Sequence, residues 1–414
     1  MRTIALTLSA ATIALVVAAP ALASGSKPAS ASPNCQNAGS FERWAEDFKK
    51  EAIAKGISPQ VISAASGDFV LDPAVIKRDR NQGVFSQSFL QFSDRMISAS
   101  RFKNGQAQLE KHRLLFAKVE RDFGVPAEVL TSFWGLESDF GAITGNFRLI
   151  RSLATLAYDC RRSEFFREEL VNALRIVQRG DQTVEGMNGN WAGEFGALQI
   201  TAGDAFRNAV DYDGDGRRDL IHSVPDTVAS AANFLKNLGW QRGQPWLQEV
   251  RLTADMPWEQ ADIEIQHPVS QWKAWGVRAA GGKLPADTMQ ASLLLPMGRL
   301  GPAFLAYPNF KAFMGWNSAF VYSTTAAYFA ARLAGAPLVG RGNGEVAVPT
   351  PQQLMDLQRA LLARGYEIGE VDGKMGAMTR KAVKQAQLKV GLPADSYPTV
   401  ELIEKLRVQT TGNR

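Results

Sequence analysis

Cysteine and histidine are scarce in this chain of 414 residues. The cysteines are Cys35 and Cys160, and the histidines, His112, His222 and His267, stand far apart along the sequence. Two cysteines without neighbouring histidines do not make a zinc site. In an oxidising compartment an even pair of cysteines is typical of one disulfide, so we expect Cys35 to be bonded to Cys160. Two unpaired thiols are the alternative.

Blocks of like charge are missing as well. The chain has 46 Lys and Arg residues and 41 Asp and Glu residues, a formal charge of +5 that is spread along its length. This distribution lacks the basic patch of a nucleic-acid-binding protein, so we expect no nucleic-acid partner. A mild positive charge suits an anionic polymer such as a cell wall, although many soluble proteins share it.

A long apolar run occurs only at the N-terminus. Arg2 precedes an apolar segment over residues 4–19, and Ala21-Leu22-Ala23 follows as a small-x-small cleavage site. These are the three parts of a secretory signal peptide, which we assign to residues 1–23. The run is shorter than the ~20 residues that a spanning helix needs. We therefore expect a cleaved, periplasmic protein that is not a lipoprotein and has no stable membrane insertion.

The rest of the chain is organised into two helical units. Residues 24–40 are a loose leader, and residues 41–333 are predicted to form one mainly α domain, in which only residues 250–265 favour a short hairpin. Residues 334–349 are dense in Gly and Pro, which predicts a flexible linker. Residues 350–408 form a small second unit. Apolar residues recur at helical spacing in two sets: Phe166, Leu170, Leu174 and Val177, and then Val228, Ala231, Leu235 and Leu238.

One carboxylate is predicted to lie on an apolar helix face. Pro126 suits the first turn of a helix, and Leu130, Phe133 and Glu137 then fall on the same stripe. Burial among apolar side chains favours the neutral form of a carboxyl group. A general acid that protonates a glycosidic oxygen near neutral pH needs that form. The alternative is a buried Glu in a structural ion pair.

A second carboxylate for the same reaction is harder to find. Glycosidases usually use two. Asp139 lies two positions from Glu137 and points to another side of the helix, unless the helix ends there. Asp181 and Glu194, near several glycines, are the other candidates. A mechanism with one carboxylate, in which a hydroxyl of the sugar is the nucleophile, removes the requirement.

Residues 133–141, Phe-Trp-Gly-Leu-Glu-Ser-Asp-Phe-Gly, resemble the catalytic signature of the lytic murein transglycosylase B family, glycoside hydrolase family 103. The resemblance extends over about residues 41–333 and implies a mainly α, lysozyme-like catalytic domain. Other similar segments follow in the same order: residues 153–158, 161–166, 191–199, Asn233 with Gly239 and Trp240, 308–310 and 316–318.

The resemblance implies cleavage of the β-1,4 bond between N-acetylmuramic acid and N-acetylglucosamine in peptidoglycan strands, without a required cofactor. Glu137 would protonate the leaving oxygen. As a carboxylate it would then take the proton of the muramyl 6-hydroxyl, which closes on C1 and leaves a 1,6-anhydro end. The implied substrate-binding residues are Asn190, Gln199, Phe234, Trp316 and Asn317.

Several positions depart from the family pattern. Phe234 and Trp316 stand where relatives place Tyr, and Asn190 stands where Ser is common. These departures leave two other functions open. One is a hydrolytic muramidase, in which water attacks and a second carboxylate assists. The other is a non-catalytic wall-binding protein that keeps the fold.

Residues 211–216, Asp-Tyr-Asp-Gly-Asp-Gly, form an acidic loop. Asp211, Asp213 and Asp215 have the opening spacing of an EF-hand loop, but its twelfth position is not Glu. Asp226 could complete a calcium site, and the family resemblance implies an elongated loop of this kind. The alternative is an Asx-rich turn in which Asp226 caps the next helix. Asp219 is expected to face solvent.

The last unit contains Leu357-Gln358 and Gly365-Tyr366, then Val-Asp-Gly-Lys-Met-Gly at residues 371–376, Thr379-Arg380 and Gln387. With these residues, the segment 350–408 resembles the three-helix peptidoglycan-binding domain found in many wall enzymes. Leu357 and Leu361 line one face of its first predicted helix. Two positions depart from the pattern: Ala386, where an aromatic residue is usual, and Ser396, where Gly is common. We interpret the module as a wall-binding tether on the flexible linker. A small bundle that only stabilises the enzyme is the alternative.

Overall fold

The structure, a computed structural model, describes residues 39–81, 87–253 and 255–411. The signal peptide, most of the leader and Cys35 lie outside this part of the chain. About 51% of the described residues are helical, which confirms the mainly α fold. No helix among the described residues is long and apolar enough to cross a membrane.

The helices fall into a large N-terminal set and a C-terminal set of three. The large set is α1 Phe41–Ala54, α2 Pro59–Ala65, α3 Pro73–Arg80, α4 Phe89–Met96, α5 Ala99–Lys111, α6 Arg113–Phe123, α7 Ala127–Ser138, α8 Leu149–Tyr158, α9 Ser163–Arg179, α10 Ala202–Asn208, α11 Val224–Asn237, α12 Val269–Ala274, α13 Phe310–Trp316 and α14 Phe320–Leu333, with 3₁₀ turns at Ser66–Asp68 and Trp258–Gln260. The C-terminal set is α15 Pro351–Leu362, α16 Ala377–Lys389 and α17 Val400–Thr411.

Helix α7 lies at the centre of the large helical core. Every residue from 129 to 138 is buried, and α7 packs against α5, α6, α11 and α14. A helix that is apolar on all sides is stable only when neighbours cover it completely. This central position places the last turn of α7, with Glu137, inside the protein.

Two antiparallel sheets interrupt the helices. The first has the order β1-β2-β3-β4, and the second has the order β6-β8-β9-β5-β7. Their strands are β1 Phe147–Arg148, β2 Asn188–Gly189, β3 Glu194–Phe195, β4 Ile200–Thr201, β5 Leu247–Leu252, β6 His267–Pro268, β7 Val277–Ala279, β8 Gln290–Leu294 and β9 Ala303–Ala306.

The hairpin predicted over residues 250–265 is wrong. Strand β5 does not pair with the residues that directly follow it within 253–265. Val250 instead pairs with Ala279 of β7 on one side and with Ala303 of β9 on the other. The second sheet has its own buried core around Trp272. Its strands meet through distant pairings that local alternation of apolar residues does not reveal.

Residues 334–349, predicted to be a flexible linker, form hydrogen bonds with the second sheet. The backbone N–H of Gly340 donates to Oε1 of Glu249 at 2.7 Å. The side-chain amide of Asn343 donates to the carbonyl of Leu252 at 2.8 Å. The segment therefore lies against the second sheet. Its Gly and Pro content indicates irregular backbone but says nothing about tertiary contacts.

The C-terminal helices enclose a separate small core that includes Leu357, Leu361 and Leu402. Ala386, one of the two departures in this module, is buried in that core. Ser396, the other, has φ of 63°, in the left-handed region that favours Gly. Its N–H donates to Oε1 of Gln387 at 3.0 Å, which holds this turn in place.

Candidate active site

Glu137 lies in the last turn of α7, and the helix ends directly behind it. Asp139 caps the helix with φ of 51°. Its carboxylate accepts a hydrogen bond from Nε of Arg101 on α5, at 3.1 Å. Because the helix ends at this point, Asp139 is the residue that could turn toward Glu137. Its carboxylate instead forms an ion pair with Arg101 of α5.

The carboxyl group of Glu137 is held by two uncharged donors. The indole Nε1 of Trp316 donates to Oε1 at 3.0 Å, and the hydroxyl of Tyr322 donates to the same oxygen. Burial raises the pKa of Glu137 to about 7, while these two hydrogen bonds act in the opposite direction. Within the described part of the chain, no Lys or Arg side chain forms an ion pair with this group, unlike in the structural ion pair that was the alternative. It can exchange a proton near neutral pH.

An aromatic wall supports this carboxyl group. The Trp316 ring stacks on Phe133 of α7 with a centroid distance of 4.3 Å. It also packs against Phe234 of α11 at 5.0 Å. Phe234 and Trp316, the two positions that depart from Tyr, are therefore in direct contact with each other. The pair forms one apolar surface behind the oxygen of Glu137.

The first sheet contributes a polar network that contains two of the predicted substrate-binding residues. Nδ2 of Asn190 donates to Oε2 of Glu194 at 2.6 Å and to Oε1 of Gln199 at 3.3 Å. Nε2 of Gln199 donates to the carbonyl of Thr144 at 2.9 Å. A Cβ added to Gly189 would lie 2.2 Å from the carbonyl oxygen of Glu194, so β2 requires Gly to approach β3 this closely.

Glu194 is a second buried carboxyl group in the field of Glu137. Burial raises its pKa to about 8. The hydrogen bond from Asn190 opposes that shift, and the charge of Glu137 adds to it. Asp181, the other candidate, is paired instead with Arg218, whose Nη1 lies 3.1 Å from its Oδ1, and with Arg179. Of the three candidates for a second carboxylate, Glu194 is the one coupled electrostatically to Glu137.

Asn317 and Tyr322 define the turn into α14. Oδ1 of Asn317 accepts a hydrogen bond from the N–H of Ala319 at 2.9 Å, so its side chain shapes the backbone beside Trp316. Tyr322 was not identified from the sequence. It is separated from Glu137 by 185 residues, and no local pattern relates positions so far apart. The one available signal is its place in the helix that follows the Trp-Asn-Ser segment.

The acidic loop brings three of its carboxylates together. Oxygen atoms of Asp211, Asp213 and Asp226 all lie within 4.8 Å of one another. Asp215 is not in this group, and its Oδ1 accepts the N–H of Arg217 at 2.8 Å. Hard oxygen donors at this spacing fit a calcium ion.

Buried Asp226 organises the acidic loop. Its Oδ1 accepts the N–H of Tyr212 at 2.7 Å, and its Oδ2 accepts the N–H of Asp219 at 2.8 Å. The expectation that Asp219 faces solvent is wrong. Its Oδ1 accepts the side-chain amide of Gln182 at 2.8 Å and two backbone N–H groups. Asp219 thus ties the loop to the chain that leads into the first sheet.

Cys160 is disulfide-bonded in the structure. Cys35, the only other cysteine of the sequence, lies outside the described residues. The pairing of these two residues therefore stays a prediction.

Comparison with known families matches two segments of the chain. Residues 40–331 match the family described as transglycosylase SLT domain. Residues 350–406 match the family described as putative peptidoglycan binding domain.

Individual relatives agree with both matches. SltB3 of Pseudomonas aeruginosa, solved with NAG-anhNAM-pentapeptide and with NAG-NAM-pentapeptide, is 40% identical with a TM-score of 0.83, and the match covers 89% of this chain and 99% of that one. Slt35 of Escherichia coli, solved in complex with calcium, is 24% identical with a TM-score of 0.60. The match covers 70% of this chain and 92% of that one. At this level of identity the likeness is evidence of a shared fold only.

A curated relative, membrane-bound lytic murein transglycosylase B of Escherichia coli (strain K12), is 27% identical over 242 residues. That match covers 57% of this chain and 64% of the relative, so the chain spans less than two thirds of the relative's length. The resemblance seen in the sequence is confirmed. Because the family model covers most of the chain and the SltB3 match covers nearly all of that protein, the chain belongs to the transglycosylase SLT domain family.

Proposed function

We propose that this protein is a lytic transglycosylase of glycoside hydrolase family 103 that cuts the β-1,4 bond between N-acetylmuramic acid and N-acetylglucosamine. The carrying observation is Glu137, a buried carboxyl group with a pKa of about 7 that is held by two neutral donors. Such a group is protonated often enough to act as an acid and loses its proton easily enough to act as a base.

The two steps use one proton of Glu137. The neutral acid protonates the glycosidic oxygen as the C1–O bond breaks, and the hydrogen bonds from Trp316 and Tyr322 stabilise the resulting carboxylate. That carboxylate then accepts the proton of the muramyl 6-hydroxyl while the oxygen bonds to C1. Glu137 ends the cycle neutral, and the product carries a 1,6-anhydro ring without consumption of water.

Hydrolysis by a muramidase is the second candidate, and Glu194 is the observation that favours it. A hydrolase would need Glu194 as an ionised base beside a protonated Glu137. The pKa of Glu194 is raised to about 8 and that of Glu137 to about 7. Burial therefore favours the neutral form of Glu194 as well as that of Glu137, whereas a hydrolase requires Glu194 to be ionised.

The mass of the products separates these reactions. Digestion of purified sacculi should give muropeptides that end in 1,6-anhydromuramic acid, one water lighter than reducing ends. The anhydro fragment bound to SltB3 has the chemistry of that product. Predominantly reducing muramyl ends from the wild-type protein would reject transglycosylation in favour of hydrolysis.

The location, substrate contacts and cation site are finer proposals. We place the mature protein in the periplasm, with peptidoglycan strands in a groove beside Asn190, Gln199, Phe234, Trp316 and Asn317. The signal-like N-terminus and the family's wall substrate support this location. We also propose that Asp211, Asp213 and Asp226 hold a structural calcium ion, because their oxygens already converge. The ion has no part in the reaction.

A further inference from the structure

The C-terminal module is docked onto the catalytic region through one face of α16. Nζ of Lys384 donates to Oδ2 of Asp262 at 2.6 Å and to the carbonyl of Glu259 at 2.9 Å. One turn earlier, Nη2 of Arg380 donates to the carbonyl of Leu295 at 3.2 Å. Lysine and arginine from the same helix face thus bind two separate parts of the sheet region.

The loop before α17 reinforces this docking. Oδ2 of Asp395 accepts the N–H of Arg299 at 2.9 Å. Tyr397 belongs to the large core of the catalytic region and not to the small core of its own module. A Cβ added to Gly298 would lie 2.8 Å from Cβ of Tyr397, so the two segments approach at a distance that only Gly permits. The loop before α17 and the chain around Gly298 are therefore in direct contact.

Arg380 alone among these groups reaches the helix that completes the active site. Its guanidinium lies over the ring of Phe320, 4.5 Å from the centroid. Phe320 is the first residue of α14, and Tyr322, which donates to Glu137, is in the same first turn. A cation over an aromatic face is attracted by the ring's negative surface. Arg380 is therefore linked to the catalytic carboxyl group through one rigid turn of helix.

We propose that Arg380 is a positioning residue that holds the start of α14 so that Tyr322 stays on Glu137. This inference rests on the proposed role of Glu137. It makes the peptidoglycan-binding module a part that completes the active-site geometry, rather than a tether. The stacked guanidinium is suited to this role because its planar shape covers a ring face while its N–H groups still bind a carbonyl.

Five variants of the full chain test the proposal on short soluble glycan fragments, for which recruitment to an insoluble wall plays no part. Arg380→Met should lower kcat about tenfold with little change in KM, because small misplacement of a catalytic contact acts on the reaction step. Phe320→Leu should do the same, and the double variant should lose little more. Arg380→Lys should retain most of the activity. Lys384→Met, on the same face of α16 but away from α14, should behave as wild type.

The dependence of kcat on pH is a second measurement. A general loss of stability would not change the pH at which activity falls. The hydrogen bond from Tyr322 lowers the pKa of Glu137. Loosening it should therefore move the alkaline limb of kcat to higher pH in Arg380→Met and Phe320→Leu. Among the described residues, the ionisable groups that face Glu137 are Glu194 of β3 and Tyr322, with Arg101 of α5 close to Tyr322. None of them is replaced in these variants.

Two results would overturn the proposal. One is a folded Arg380→Met protein with the kcat and alkaline limb of wild type. The other is an equal loss in Lys384→Met, which would assign the effect to docking in general. If Arg380→Met does not fold, Phe320→Leu decides, and wild-type behaviour there rejects the link. Full activity of Glu137→Gln would instead reject the proposed function, whereas an inert Glu137→Gln with a normal Arg380→Met rejects this inference alone.

Discussion

The molecule brings carboxyl groups together in two regions and surrounds them differently. In the catalytic region, Glu137 and Glu194 have uncharged hydrogen-bond donors, and burial raises their pKa values to about 7 and about 8. In the acidic loop, Asp211, Asp213 and Asp226 bring their oxygens within 4.8 Å of one another. Isolation in apolar surroundings suits a carboxyl group that must exchange a proton. Convergence of several carboxylates suits groups that share a cation.

The largest effect should come from Glu137→Gln. The variant keeps the shape of the side chain but cannot exchange a proton, so activity should fall by about 10³-fold, within the usual range for a general acid or base. Release of soluble muropeptides from sacculi measures this, with circular dichroism to show that the fold is retained. Clearing of sacculi at the wild-type rate would remove Glu137 from the mechanism.

The same substitution should change stability with a definite sign. The pKa of Glu137 is about 7 in the folded protein and lies near 4.3 in an unfolded chain. Between these values the unfolded state loses its proton and the folded state retains it, so stability falls as pH rises through this window. At pH 8 the cost of the ionisable group is on the order of 3 kcal/mol.

Glu137→Gln should therefore unfold at a higher temperature than wild type at pH 8, and the difference should shrink toward pH 5. Thermal melts followed by circular dichroism at the two pH values measure it. A gap that is larger at pH 5 than at pH 8 would show that Glu137 is stabilised as a carboxylate, which contradicts the comparison.

Glu194 separates the two reactions that the site could perform. Gln resembles the neutral form of Glu, so Glu194→Gln should lower activity by less than about tenfold. Glu194→Ala should lower activity further, because it removes the nearer of the two acceptors of the Asn190 amide, and a buried donor left unpaired costs about 1–3 kcal/mol. Equal damage from Glu194→Gln and Glu137→Gln, measured on the same sacculi, would show that Glu194 must ionise, as in a hydrolase.

Sequence reasoning succeeded where the chemistry is local. The stripe of Leu130, Phe133 and Glu137 belongs to one helix, and its burial follows from the spacing alone. It missed Tyr322, since the contact joins two helices that are distant in the chain. The pairing of β5 with β7 and β9 was missed for the same reason.

The acidic loop and the linker show the same limit. The predicted spacing included Asp215, but backbone geometry turns this side chain to the N–H of Arg217 and leaves Asp226 in the cluster. The Gly- and Pro-rich residues 334–349 were predicted to be flexible from composition. Hydrogen bonds such as that from Gly340 to Glu249 hold them in place. Composition describes backbone freedom, and tertiary partners decide whether that freedom remains.

The smallest effect should come from calcium, and it tests the second region of the comparison. Three carboxylates held close together repel one another, and a bound cation removes that repulsion only in the folded state. A ligand at about five times its Kd stabilises the folded state by about 1 kcal/mol, a rise of about 1 °C in Tm for a chain of this size. Asp213→Asn should abolish the shift between chelator and millimolar calcium, since Asp213 is exposed and can be changed without disturbing the core.

Asp215→Asn is the matched control and should keep the shift, because Asp215 lies outside the cluster. Magnesium should have a smaller effect, since it demands a tighter octahedral shell than a flexible loop provides. Equal melting curves for wild type with chelator and with calcium would show that the cluster is only a turn capped by Asp226. Loss of the shift in Asp215→Asn alone would show that Asp215 is a calcium ligand, as the EF-hand spacing predicts.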